Sequence, residues 1–148
     1  SGRLLPELRG LFSVSEPLPA SPATRDLATR DSVGADRPQL SIVVPVHNEA
    51  DNLPLLVERL DAVLAKEVKS WELVCVDDGS RDGTLSVLRL LNARDPRIVA
   101  VSFSRNFGKE IAIAAGLDHA RGDAIVIMDA DLQHPPETIP VFLAKWRE

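Results

Sequence analysis

Two carboxylates, Asp129 and Asp131, follow directly on the apolar run Ala124-Ile125-Val126-Ile127-Met128. A run of that length and β-branched content reads as a buried strand. If it is a parallel strand, both charges arrive at the carboxyl edge of the sheet, where ligands of open α/β sheets bind. Hard oxygen ligands one residue apart suit Mg²⁺ or Mn²⁺, above all when a diphosphate shares the ion. The same residues also fit a plain acidic turn, because Asp is common in turns.

Three other polar clusters follow apolar runs in the same manner: His47-Asn48-Glu49, Asp77-Asp78-Gly79-Ser80 with Asp82-Gly83-Thr84, and Ser104-Arg105-Asn106-Phe107-Gly108-Lys109. Crowded carboxylates repel one another and call for a cation or hydrogen-bond donors. Each residue has a plainer reading beside the functional one. Glu49 either meets a ligand or supports the start of the next helix, where negative charge is favourable. Asp77 or Asp78 can accept hydrogen bonds from a nucleobase or ribose, and one of the two can equally serve loop amides. Ser80 and Thr84 read as turn and capping residues, since no His is placed to activate them. Lys109, at a helix start, can reach a phosphate or remain a solvated lysine. Arg105 has the same two readings. His47 and His134 lie in these loops, where a lone histidine is usually structural, and His119 lies near a helix end.

The elements that must position these residues alternate along the chain. Leu40 to Val46 reads as a strand interrupted late by Pro45. A helix from Leu53 to about Lys66 follows, capped by Asp51 or Asn52, with Leu55, Leu56, Leu60, Val63 and Leu64 at helical spacing. Trp71 to Val76 is a second strand, and Asp82 or Thr84 opens a second helix that Asp95-Pro96 ends. Ile98 to Phe103 is a third strand, followed by a helix from Lys109 to Arg121 closed by Gly122 in the usual C-terminal position. Ala124 to Met128 is the fourth strand, and Pro135-Pro136-Glu137 starts a last helix. The order β-α-β-α-β-α-β-α predicts an α/β fold, a Rossmann-like parallel sheet with right-handed crossovers. All four clusters then open on one edge.

Residues 1–38 differ from the rest. They hold five of the eleven prolines together with much Ser, Thr, Asp and Arg, and read as a flexible, Pro-rich N-terminal extension with enough leucine in residues 4–12 for local docking. Residues 39–148 form the predicted domain. The net charge of −5 argues against nucleic acid as a partner, so phosphates would need a metal or a few placed Lys and Arg. Cys75 is the sole cysteine, which excludes an intrachain disulfide, and its apolar neighbours mark it as a small core residue. No segment has the length of a membrane span or the look of a signal peptide.

The segments Leu40–Glu49, Val76–Ser80 and Met128–Asp131 together resemble the inverting, metal-dependent nucleotide-sugar glycosyltransferases of family 2, with the GT-A fold. The loop Ser104–Lys109 and the tail Asp131–Glu137 are similar to the polyprenyl-phosphate branch, which includes bactoprenol glucosyltransferases and dolichol-phosphate mannose synthases; Gln133-His134-Pro135-Pro136 is nearer the bactoprenol type. His47 stands where that family usually has Tyr. The resemblance implies that Pro45, Glu49, Asp78 and Lys109 line a nucleotide pocket, with Asp77 and Asn106 as secondary candidates. It implies that Asp129 and Asp131 are the catalytic acidic pair that positions Mg²⁺ or Mn²⁺ with the diphosphate. The implied donor is UDP-glucose, with GDP-mannose second, and the implied acceptor is a polyprenyl phosphate, with a saccharide acceptor as the alternative. Family members continue well beyond this length into acceptor-site and membrane segments. Residues 1–148 are therefore expected to be the soluble, donor-binding half of an enzyme at the cytoplasmic face of a membrane, binding nucleotide and turning over poorly. A phosphorylation receiver fits less well, because the strand ending at Phe103 lacks its diagnostic Asp. A dinucleotide-binding domain lacks its Gly-x-Gly-x-x-Gly after the first strand. A non-catalytic nucleotide-binding or assembly module is the alternative from another class.

Overall fold

The computed structural model describes residues 12–15, 37–131 and 135–148. Five strands, β1 (Phe12–Ser15), β2 (Leu40–Val46), β3 (Trp71–Asp77), β4 (Ile98–Phe103) and β5 (Ala124–Ile127), form one sheet in the order β1-β4-β3-β2-β5. β4, β3, β2 and β5 are parallel, as the alternation predicts. Helices α1 (Leu53–Leu64), α2 (Thr84–Arg94) and α3 (Lys109–His119) make the crossovers, and a short 3₁₀ turn, Pro136–Thr138, leads into α4 (Ile139–Arg147).

The chain moves from β2 through β3 to β4 in one direction, then returns past β2 to β5. Right-handed crossovers in opposite directions put their helices on opposite faces. α1 and α2 accordingly pack on the face carrying Leu40, Ile42, Leu73 and Cys75, joined there by Ile139 and Leu143 of α4. α3 packs on the other face against Val43, Val74, Val76 and Val101. The reversal of direction between β2 and β5 makes a topological switch point, the place where open α/β sheets form a ligand crevice.

Apolar burial holds α1 more than its ends do. Asn52 at its N-cap makes no side-chain capping bond, whereas Leu53, Leu56, Leu60 and Leu64 are fully buried, each worth about 1.5–3 kcal/mol. α3 is held by close approach. Ala112, Ala115 and Gly116 face the sheet, and a Cβ added to Gly116 would lie 2.3 Å from Val43 Cγ1. Cys75 is fully buried in β3, and burial pushes its thiol up to about 12, consistent with an unreactive core residue.

Several sequence expectations shift. β2 runs through Pro45 unbroken. In a parallel strand, alternate residues bond to alternate neighbours. Val43 accepts from Met128 of the β5 side and Val46 accepts from Asp78 of the β3 side, so Pro45 faces the β5 side where the ladder has already ended. Its missing N–H therefore costs no ladder bond. β5 is not fully buried: Ile125 and Ile127 are 39% and 46% exposed. Among the described residues it pairs only with β2, and α3 lies over β2 and β3, so one face of β5 is left open by them. Gly122 does not close α3 in a left-handed conformation. The helix ends at His119 with Ala120 extended, and Gly122 is small because a Cβ there would lie 2.6 Å from Ser41 N.

The pattern predicts no strand before residue 40, whereas Phe12–Ser15 pairs antiparallel with β4, Phe12 opposite Phe103 and Ser15 opposite Ala100. This pairing satisfies an edge of β4 that would otherwise present open backbone groups. Residues 1–11 and 16–36, which carry most of the predicted flexible extension, lie outside the described residues, as do Gln133 and His134.

Candidate functional site

The four predicted loops follow the carboxyl ends of their strands, and hydrogen bonds stitch the loops after β2, β3 and β4 to one another. Asn48 adopts the left-handed conformation, φ +55°, which Asn tolerates better than most residues. From there its backbone N–H donates to Ser80 Oγ at 2.8 Å, while its Oδ1 accepts from Arg81 N at 2.9 Å and Asp82 N at 3.3 Å. Glu49 N donates to Thr84 Oγ1 at 2.9 Å. These contacts lock the loop after β2 to the loop after β3. Asn48 is thus an organising residue, and its sequence signal is only that of a loop Asn next to a strand end.

The loops after β3 and β4 interlock more tightly. Gly79 has φ +70°, and a Cβ there would lie 2.4 Å from Arg105 C and Asn106 N, so only glycine admits the neighbouring backbone. Asp78 is buried. Its carboxylate accepts from Phe107 N at 2.7 Å and Gly108 N at 3.1 Å, clamping the residues that lead into α3. Asp77, also buried, accepts from Ser80 N at 3.1 Å. His47 Nδ1 lies 2.9 Å from the Asp78 carbonyl oxygen, which can only accept, so Nδ1 carries the proton. Asn106 is exposed, its amide nitrogen 3.5 Å from the same ring nitrogen. Arg105 lies over the Phe107 ring, 4.7 Å from its centroid.

Glu49 Oε2 accepts from Asn52 Nδ2 at 2.7 Å, a contact that supports the entry to α1. Asp82 accepts from Thr84 N at 2.9 Å and from the Thr84 hydroxyl. The Thr84 hydroxyl bond, foremost, holds the Asp82 carboxyl below its ordinary value. Thr84 is therefore engaged in the turn into α2, as its sequence context predicts.

At the switch point itself, Lys109 Nζ from the first turn of α3 lies 2.7 Å from Asp129 Oδ1 beyond β5. The tight seating of α3 over β2 and the Asp78 clamp bring this lysine across the sheet edge. The pair is open to solvent, 60% and 32% exposed, and such pairs contribute only about 0–1 kcal/mol to stability. The fold therefore loses little if Asp129 changes partner. Asp131 is exposed in the same turn, and Pro45 sits half-buried at the end of β2. Among the described residues no group of three or more His, Cys, Asp or Glu side chains converges as a metal cage. Asp129 and Asp131 are two hard oxygen donors, and a Mg²⁺ or Mn²⁺ ion held by one or two carboxylates completes its shell with water and phosphate oxygens. The donor set fits that ion in company with a phosphate, and does not resemble a self-sufficient site.

These features define a doubly wound α/β domain that carries acidic side chains at the carboxyl edge beside its switch point. Residues 41–148 match the family described as glycosyl transferase family 2, and the chain belongs to that family. It is 47% identical over 111 residues to a prophage bactoprenol glucosyl transferase homolog of Escherichia coli, covering 74% of this chain and 36% of that protein. It is 46% identical over 110 residues to an undecaprenyl-phosphate 4-deoxy-4-formamido-L-arabinose transferase of Shewanella sediminis, covering 74% and 33%. Among solved structures, a mannosyltransferase from Pyrobaculum calidifontis in complex with GDP-Man and Mn²⁺ superposes with a TM-score of 0.58 at 34% identity, covering 74% of this chain and 32% of that one. The chain thus spans about a third of the length of these relatives. No helix among the described residues is long and apolar enough to cross a membrane.

Proposed function

We propose that residues 39–148 are the donor-binding part of a metal-dependent, inverting hexosyltransferase that uses a nucleoside-diphosphate sugar and delivers the sugar to a polyprenyl phosphate at a membrane surface. The observation that carries this reading is the Lys109–Asp129 pair at the switch point of a family 2 chain, one cationic and one anionic handle for a metal–diphosphate. UDP-glucose is the first choice of donor, supported by the bactoprenol glucosyl transferase relatives, and GDP-mannose is second, supported by the mannosyltransferase likeness.

Asp129 and Asp131 would hold Mg²⁺ or Mn²⁺, which as a Lewis acid stabilises charge on the departing nucleoside diphosphate. Lys109 meets the same charge from the α3 side. In this reading Pro45, Glu49, Asp77 and Asn106 would border the nucleoside, and Asp78 would act on it through the loop it clamps. A phosphate oxygen of the acceptor attacks the anomeric carbon opposite the breaking bond to the nucleoside diphosphate, inverting that centre. A phosphomonoester is largely dianionic at neutral pH, its second pKa being about 6, so the attack needs little help from a general base.

Equilibrium titration with UDP and GDP, with and without Mn²⁺, tests this. Nucleotide binding is expected to require Mn²⁺ and to be lost in Asp129→Asn, while stability to urea changes by no more than about 1 kcal/mol, the range of a solvent-accessible ion pair. Equal binding with and without metal would overturn the reading. Radiolabelled sugar transfer to polyprenyl phosphate, expected from the full-length enzyme and weak from residues 1–148, separates donor binding from turnover.

A further inference from the structure

Resting on the donor-site reading, we propose that Lys109 is a built-in counter-cation for Asp129, which makes the site select a metal–diphosphate over a free divalent ion. The ammonium and a Mg²⁺ or Mn²⁺ ion would compete for the same carboxylate. Lys109 Nζ already lies 2.7 Å from Asp129 Oδ1, and a Mg²⁺ ion would bind at about 2.0–2.1 Å. Two cations on one carboxylate oxygen stand close enough to repel strongly. An ion on either oxygen of Asp129 is therefore opposed by the ammonium until the lysine moves away.

What the lysine gains on leaving depends on what accompanies the ion. A free ion offers it only water. A metal–diphosphate offers phosphate oxygens beside the same carboxylate, and a charge-assisted bond there is stronger than the exposed ion pair it replaces. Lys109 can make the exchange because it is 60% exposed on a flexible stem. Its anchor stays fixed meanwhile, because the Asp78 carboxylate holds Phe107 N and Gly108 N and the small face of α3 is seated on the sheet. The lysine thus taxes the free ion and rewards the pair, and the coupling is reciprocal: nucleotide tightens metal as metal tightens nucleotide.

Mn²⁺ binding to the full chain, followed by the electron paramagnetic resonance signal of free Mn²⁺ without nucleotide, tests this. Lys109→Met is expected to bind free Mn²⁺ about 2- to 5-fold more tightly, the range set by an exposed ion pair. Its Mn²⁺-dependent affinity for UDP or GDP should fall about 10-fold, the loss of one charge-assisted bond. Lys109→Arg, which keeps the charge, should leave free Mn²⁺ affinity as it was. The gain in Lys109→Met should vanish when Asp129→Asn is added; a gain that persists puts the ion elsewhere and overturns the proposal. Unchanged or weaker Mn²⁺ binding in Lys109→Met also overturns it, while leaving the donor site standing if the unaltered chain binds nucleotide with Mn²⁺. Absence of that nucleotide binding in the unaltered chain sinks the donor-site reading and this proposal together.

Discussion

The two ends of the sheet use carboxylates in opposite ways. At the amino end, Glu72 is buried on β3, and the protein itself meets its charge. Ser41 Oγ and Arg121 N each donate to Oε2 at 2.6 Å, Arg121 Nε lies 3.3 Å from Oε1, and Gly122 N donates in turn to Ser41 Oγ at 2.7 Å. The network ties β2 and β3 to the turn between α3 and β5. At the carboxyl end, Asp77 and Asp78 are also buried and met by backbone N–H groups, but beyond them Asp129 has an exposed lysine as its partner. A carboxylate held by fixed, buried donors serves the fold. One held by a mobile, solvated cation can change partner at little cost. That contrast, and not acidity alone, separates scaffold from ligand site.

The sharpest challenge to the contrast is Glu72→Ala. It takes the acceptor from the buried Ser41 hydroxyl and the part-buried Arg121 amide and is expected to destabilise the domain by about 2–4 kcal/mol. Urea unfolding measures the loss. Affinity for nucleotide with Mn²⁺, read where the variant is still folded, should stay within about 2-fold, as for a remote and independent site. A large loss of affinity without loss of stability would place Glu72 in the ligand machinery and dissolve the distinction between the ends.

Asp78→Asn probes the boundary between the two behaviours. The amide retains one acceptor, so one of the Phe107 and Gly108 N–H groups loses its partner, at an expected cost of about 1–2 kcal/mol. Because the same clamp aims α3 and Lys109 at Asp129, Mn²⁺-dependent nucleotide affinity should fall as well. Calorimetric titration beside a urea melt separates the cases. Loss of stability alone would group Asp78 with Glu72. Loss of affinity alone would mean that it touches the nucleotide directly, the role that its sequence context implies.

The alternation of apolar runs and helical patterns made the parallel sheet legible, because period and length are local properties of a chain. The convergence of four polar strand ends followed from parallel topology alone. Partnerships were less visible. That Asp78 serves the loop before α3, or that Asn48 bridges two loops at positive φ, depends on backbone brought together from distant segments. Gly122 looked like a helix terminator because nothing local announces the Ser41 backbone lying against it. Ile125 and Ile127 looked buried because a strand's sequence does not say whether it has one neighbour or two. The strand Phe12–Ser15 sits in proline-rich surroundings that outweigh its own short pattern.

Acid titration supplies the gentlest test, again at the amino end. Asp95 accepts from Arg97 Nη2 at 2.7 Å, and Arg97 also reaches Asp61 at 3.1 Å and lies over the Trp71 ring. The Arg97 side-chain hydrogen bonds, foremost, hold the Asp95 carboxyl below its ordinary 3.8. A carboxyl depressed in the folded state binds its proton more readily when unfolded. Its contribution is therefore complete above the ordinary value and is lost as pH falls through the lower, folded value. Urea midpoints measured from neutral pH down into the acid range should decline below about pH 4, and Arg97→Gln should flatten that part of the decline. The pair is partly exposed, so the step should be under about 1 kcal/mol. If the acid decline were instead abolished by Lys109→Met with Arg97 intact, the exposed pair at the ligand edge would be carrying stability, and the division of labour between the two ends would fail.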